Sequence, residues 1–184
     1  MSEDKATAKT SQPGPEAIES VEELLAHAYV IEVDAVERYN LLADQMEVHN
    51  NSELAALFRK LAGHEEHHAK EILERAGDKA LPKLKSSDYK WGEFEAPEAA
   101  ELDRAHYLMT PWHALQMALR AEKRAFAFFD QLVKTAKDDE MKKWSEEFRE
   151  EEAEHVRLVE ELLTRYPEPA EDWAEDPDPP VYLE

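Results

Sequence analysis

The chain has 184 residues, with 22 Lys and Arg against 43 Asp and Glu and a formal charge of -21 at pH 7; this excludes the basic footprint with which a nucleic-acid or anionic-membrane binder displaces counterions. Cysteine is absent, so disulfide frameworks, thiolate metal sites and cysteine nucleophiles are excluded, and any metal must sit on carboxylates and imidazoles. Leu, Ile, Val and Phe make up about 20% of the chain, at the border of disorder for so charged a sequence, whereas Ala, Glu, Lys, Arg and Leu supply about half of it, the signature of long helices where a 3.6-residue period is present.

Met1 to Ser20 holds no apolar core of signal-peptide length, and residues 1–18 read as a disordered tail. No apolar run approaches the length of a membrane span, so a soluble, cytoplasmic protein is expected. Prolines are absent between Pro15 and Pro82 and between Pro111 and Pro167, which leaves two helical blocks. Ser20-Val21-Glu22-Glu23 is a capping box that opens a first helix over about 20–48. Asn50-Asn51-Ser52 is turn chemistry, with Ser52 as the N-cap of a second helix over about 52–77 that Gly77 closes. Asp78 to Met109, with Pro82, Ser86-Ser87, Gly92 and Pro97, is a crossover with room for one short helix from Pro97 to Tyr107; it is long enough to travel a bundle of helices roughly 40 Å in length. Thr110-Pro111 opens a third helix over about 110–136, because a proline at the first helical position loses no hydrogen bond. Asp138-Asp139 opens a fourth over about 139–165, and residues 167–184, acidic and rich in proline, read as an extended tail. Short turns make each helix pair antiparallel, and the crossover makes the second and third helices parallel. The expected fold is all-α: two antiparallel helical hairpins joined by a long crossover, a four-helix bundle over residues 19–166.

Each helix carries an acid within its apolar stripe. The first gives Leu25, Tyr29, Glu32, Val36 and Tyr39, and the second Leu54, Phe58, Leu61, Glu65, His68 and Ile72. The third gives Leu115, Leu119, Glu122, Phe126, Phe129 and Val133, and the fourth Trp144, Phe148, Glu152, His155, Val159 and Leu162. Steps of three and four define one helical face, so the four glutamates point inward, where an ionised carboxylate costs several kcal/mol unless it is paired or binds a metal. Counted from Asn50 and Lys137 in the two turns, all four lie roughly 22 to 27 Å along their helices, in the middle of the bundle. Glu65-x-x-His68 and Glu152-x-x-His155 add an imidazole one turn from an acid, and Glu32 and Glu122 supply one more carboxylate each. A Glu from each of two helices and Glu-x-x-His from each of the other two is the donor set of di-iron and di-manganese carboxylate proteins; hard oxygens with imidazole suit iron or manganese better than copper or magnesium, although zinc also binds such donors. The blocks are internal copies: an offset of 87 superposes Glu65 on Glu152 and His68 on His155, and an offset of 90 superposes Glu32 on Glu122 and Tyr39 on Phe129.

Glu32-x6-Tyr39 followed by Glu65-x-x-His68, then Glu122-x6-Phe129 followed by Glu152-x-x-His155, resembles the ferritin-like superfamily and, within it, the rubrerythrin group, over about residues 20 to 165. The resemblance implies a ferritin-like four-helix bundle with two iron ions, or manganese or mixed metals, in a carboxylate-bridged centre. It implies Glu65 and Glu152 as bridging carboxylates, with Glu32, Glu122, His68 and His155 as terminal ligands. It also implies redox chemistry with O2 or H2O2, an external electron donor and a homo-oligomeric assembly. Two departures bring the site closer to bacterioferritin-type oxidases: Ala125 stands where rubrerythrins carry a further Glu, and no Cys-rich rubredoxin segment is present.

Other residues have competing readings. Tyr39 could hydrogen-bond a ligand or carry an electron, or simply pack in the core; His64 and His67 project from other faces than His68; His113 is half a turn out of phase with Glu122 and is not a ligand. Gly63 in mid-helix suggests a close helix approach or a bulge. The expected function is a di-iron protein that binds two Fe(II) and oxidises them with O2 or H2O2. The alternatives are a di-metal oxygenase with an organic substrate in a channel bordered by Phe126, Phe128 and Phe129, or a metal-free helical adaptor that would leave its inward glutamates unexplained.

Overall fold

A computed structural model describes residues 13–92 and 108–170. Within them lie four long helices, α1 (Val21–Val48), α2 (Ser52–Ala76), α3 (Pro111–Thr135) and α4 (Asp139–Leu163), and two short 3-10 turns, Pro15–Ala17 and Ser86–Asp88. None of the described helices is long and apolar enough to cross a membrane. The short helix expected from Pro97 to Tyr107 and most of the acidic C-terminal segment lie outside the described residues.

Side chains set the helix starts. Ser20 Oγ accepts from the Glu23 amide at 3.2 Å, while the Glu23 carboxylate accepts from the Glu19 amide at 2.8 Å, one residue before the position a capping box requires. The N-cap of α2 is Asn51 and not Ser52: Asn51 Oδ1 accepts from the Leu54 amide at 3.2 Å, and its Nδ2 donates to the Met109 carbonyl at 3.0 Å, so one amide group satisfies both the helix start and the end of the crossover. Thr110 caps α3, with its amide donating to His113 Nδ1 at 3.2 Å, which gives that histidine a structural position at the helix start. Asp138 Oδ1 accepts from the Met141 amide at 2.8 Å to open α4.

α1 pairs with α2 and α3 with α4, and the two hairpins lie face to face. Their apolar side chains form two clusters. One gathers the end of α1, the start of α2, the start of α3 and the end of α4 around Tyr39, Leu42, Phe58 and Leu115; the other gathers the opposite ends around Leu25, Ile72, Phe129 and Phe148. The two hairpin turns therefore sit at opposite ends of the bundle, and the four inward glutamates share a level because each lies near the middle of its helix. Phe128 and Phe129 are both closed into the second cluster with ring centroids 5.3 Å apart, and Phe126 is only half-buried, so the stripe of α3 turns through Phe128 and Leu132 and not through Phe126 and Val133.

Pro13 to Ile18, expected as part of a disordered tail over residues 1–18, dock on the bundle. Pro15 and Ile18 are buried, Glu16 accepts from Gln131 on α3 at 2.8 Å, and the Gly92 amide donates to the Pro13 carbonyl at 3.1 Å. Gly92 has φ +63, and a Cβ there would stand 2.9 Å from the Gly14 Cα, so glycine is required twice over. Beside this contact Trp91 is buried edge-on to His27 at 5.2 Å, and His27 accepts from the Lys90 amide at 3.3 Å. Burial pushes the His27 imidazole below its usual pKa and keeps it a neutral acceptor.

Gly63 neither bends α2 nor meets a neighbouring helix. It is exposed, and a Cβ at this position would meet nothing within 4 Å. Gly63→Ala should therefore stabilise the fold by about 0.5–1 kcal/mol through helix propensity and a less flexible unfolded chain. Urea denaturation checks this; a lower midpoint would show that the position has a steric role.

Candidate metal centre

Between the two apolar clusters lies a layer of acids and imidazoles. Each comes from a different level of its own sequence but the same level of the bundle: Glu32 from α1, Glu65 and His68 from α2, Glu122 from α3, and Glu152 and His155 from α4. The four carboxylates are 2 to 5% exposed. A step of three residues turns each histidine back over its acid, which leaves His68 Nδ1 3.4 Å from Glu65 Oε2 and 3.9 Å from Glu32 Oε2. The second hairpin repeats the pattern, with His155 Nδ1 3.3 Å from Glu122 Oε2 and 3.5 Å from Glu152 Oε2. The halves meet where the two imidazoles stack, with centroids 4.4 Å apart and planes 15° from parallel.

The electrostatics of the layer are those of too many acids with too little countercharge. Burial, with the charges of Glu65 and Glu152, pushes Glu32 well above the usual carboxylate range, and burial raises Glu122 as well. Glu152 is pushed up to about 8, again by burial first, against the lowering effect of His155. Burial acts to lower the His155 pKa, but its contacts with Glu122 and Glu152 win and hold it at about 11. Three buried oxygens, Glu32 Oε2, Glu122 Oε2 and Glu152 Oε2, have no hydrogen-bond partner. Two trios, Glu65 with His68 and His155 and Glu122 with Glu152 and His155, bring ligand atoms within 4.8 Å of one another. Hard, partnerless oxygens beside imidazole nitrogens are the donors a divalent transition metal takes.

A family model described as Rubrerythrin matches residues 23–164. The chain belongs to the rubrerythrin family. A solved structure of an uncharacterized conserved protein from Magnetospirillum magnetotacticum MS-1 is 38% identical to this rubrerythrin-family chain, with a TM-score of 0.64 over 83% of this chain and 99% of that one. No curated protein matches. Membership of the family, together with the two acid and imidazole trios, suggests a di-iron carboxylate protein.

Around the centre, the rubrerythrin-family chain places the remaining candidates at different distances from any chemistry. Tyr39 is fully buried in the first apolar cluster, two turns along α1 from Glu32, and stacks on Phe58 at 6.2 Å. His64 and His67 are exposed, and His67 faces Glu71 at 3.7 Å. Ala125 is fully buried one turn after Glu122, so no further carboxylate enters the layer there. Sequence reasoning misses Leu57 and Leu158, which with Leu61 and Val159 of the expected stripes border a pocket against Glu65, Glu122 and His155. Leu57 and Leu61 recur at four-residue steps before Glu65 and Leu158 stands three after His155, a signal that marks the edge of the stripe but not the gap between helices.

The raised values fix a sign. In the metal-free protein, Glu32, Glu122 and Glu152 hold protons that the unfolded chain gives up above about 4.3. The stability this contributes is complete below that value and is lost as pH rises through the folded values, past about 8 for Glu152. His155 acts in the same direction between about 6.5 and 11. The melting temperature of the metal-free protein should therefore fall from pH 5 to pH 9, and Glu32→Gln should flatten the profile and stabilise the fold at pH 8 by on the order of 1 kcal/mol. A melting temperature that rises over this range would contradict the assigned burial.

Proposed function

We propose that the protein binds two Fe(II) ions through Glu32, Glu65, His68, Glu122, Glu152 and His155 and oxidises them with O2 or H2O2, a ferroxidase- or peroxidase-type role in handling iron or oxidative stress. The observation that carries this reading is the buried layer itself: six donors on four helices, with His to Glu separations of 3.3 to 3.9 Å and three carboxylate oxygens without a hydrogen bond. Four ionised glutamates carry -4 and two divalent ions +4, so a filled layer with neutral histidines is formally neutral inside an apolar bundle. When bound, the ion pair supplies two electrons, which with two protons convert O2 to H2O2, or H2O2 to two waters.

The chain's own residues then have distinct tasks. Glu65 and Glu152, the central acids of the two Glu-x-x-His pairs, are the proposed bridging carboxylates, and Glu32 and Glu122 are terminal ligands. The apolar clusters on either side exclude water and hold the carboxylates in place. Manganese fits the same donors, but iron is the ion proposed. The protein would work in the cytoplasm as a homo-oligomer, with an external electron donor returning the metals to the reduced state. An adaptor without metal would leave the acids of the layer uncompensated, and of the three phenylalanines expected to border an organic-substrate channel, Phe126, Phe128 and Phe129, the last two are closed into the core while Phe126 is half-buried.

Anaerobic titration with Fe(II) should saturate near two irons per chain, followed by rapid consumption of O2 or H2O2. Glu65→Ala together with Glu152→Ala should abolish both, and binding that survived the double replacement would overturn the assignment. Tyr39→Phe separates the two readings of that residue: slower turnover with intact binding supports an electron-carrying role, and an unchanged rate leaves Tyr39 as packing.

A further inference from the structure

The pocket between α2 and α4 is built unlike the rest of the layer's surroundings. Its walls are aliphatic, from Leu57 and Leu61 on α2 and Val159 and Leu162 on α4, and its floor is formed by Glu65, Glu122 and His155. Glu122 is 2% exposed, and its Oε2 lies 3.3 Å from His155 Nδ1. Lys60, His64 and Leu158 stand at the mouth, and all three are exposed. We propose that this pocket is the port through which dioxygen reaches the metal centre.

Three physical arguments select that guest. Size is the first: the cavity measures about 50 Å³, more than the 10–15 Å³ a water needs and far below the roughly 300 Å³ at which drug-sized pockets begin. Only a molecule of a few atoms fits. Charge is the second: an aliphatic wall gives a metal ion nothing in exchange for its hydration shell, and the Lys60 ammonium at the mouth repels cations. A neighbouring groove brings His68, Glu71, Glu151 and Glu154 to the same edge of the layer and shares His64, His155 and Leu158 with the pocket. Polarity is the third. Hydrogen peroxide would lose hydrogen bonds from two O–H groups against leucine and valine, whereas dioxygen has none to lose. The aliphatic lining thus favours O2 over H2O2 along this route.

This inference rests on the oxidising reading above, and its test separates the two. Crystals of the metal-free protein pressurised with xenon should show one xenon among Leu57, Leu61, Val159 and Leu162, since dry apolar cavities of this kind take up xenon; an empty cavity under pressure would overturn the port. Val159→Phe fills the interior, and Leu57→Phe narrows the pocket from a half-buried position that does not border the neighbouring groove. Both should slow the second-order oxidation of bound Fe(II) by O2 at least tenfold, with the rate for H2O2 and the Fe(II) stoichiometry unchanged. An unchanged O2 rate in both variants sinks the port alone, and an equal loss with H2O2 sinks its preference for dioxygen. Failure of the unaltered protein to bind Fe(II) at all would instead remove the oxidising reading, and the port's role with it.

Discussion

Four carboxylates enclosed in one bundle repel each other and cannot be solvated by leucines, and the architecture around them is arranged to confine that cost. Each glutamate sits near the middle of a helix of 25 or 28 residues, so apolar turns lie on both sides of it. Two separate clusters result, one at each end, and they supply the burial that holds the charged layer shut. A shorter bundle would have placed the acids near an end, where water could relieve them and where no ion would be needed. The polar layer and the split core are one feature seen from two sides.

The duplicated hairpin gives the layer its form. Each half brings two acids and an imidazole, and the halves face each other with their turns at opposite ends, so the two His to Glu networks are related by an approximate two-fold axis near the stacked rings of His68 and His155. The copies differ just outside the layer. Tyr39 faces the first cluster where Phe129 faces the second, and the pocket opens beside His155 with Leu158 and Val159 at its border. The two halves of the layer therefore meet different surroundings despite matching acids and imidazoles.

Much of this is legible in the sequence because the deciding signals are local and periodic. The all-α class follows from four stripes at helical spacing, and the convergence of Glu32, Glu65, Glu122 and Glu152 follows from acids placed where leucine is expected. What escapes is whatever depends on how helices face one another. Phe126 and Phe128 differ by little more than half a helical turn, and the choice between them depends on a rotation of α3 that its own pattern does not specify. Ser52 and Asn51 both have N-cap chemistry, and a partner 58 positions away, the Met109 carbonyl, accompanies the choice of Asn51. Pro15 and Ile18 are isolated apolar residues without a period, so nothing nearby marks them as docked, and a lone His27 in an apolar stripe does not show that it anchors Lys90.

The docked N-terminal segment also orders events during folding. Each hairpin closes on contacts between neighbours in the chain, and such contacts form quickly. The bonds that fasten residues 13–18 span far greater lengths: Glu16 reaches Gln131 across 115 positions, and Glu19 reaches Lys137 across 118. Gly14 can come to rest against Gly92 only after both hairpins and the first part of the crossover are in place. Closure of the segment is thus expected to follow closure of the hairpins. During synthesis the segment leaves the ribosome 115 residues ahead of its partner Gln131, and must wait for it unpaired.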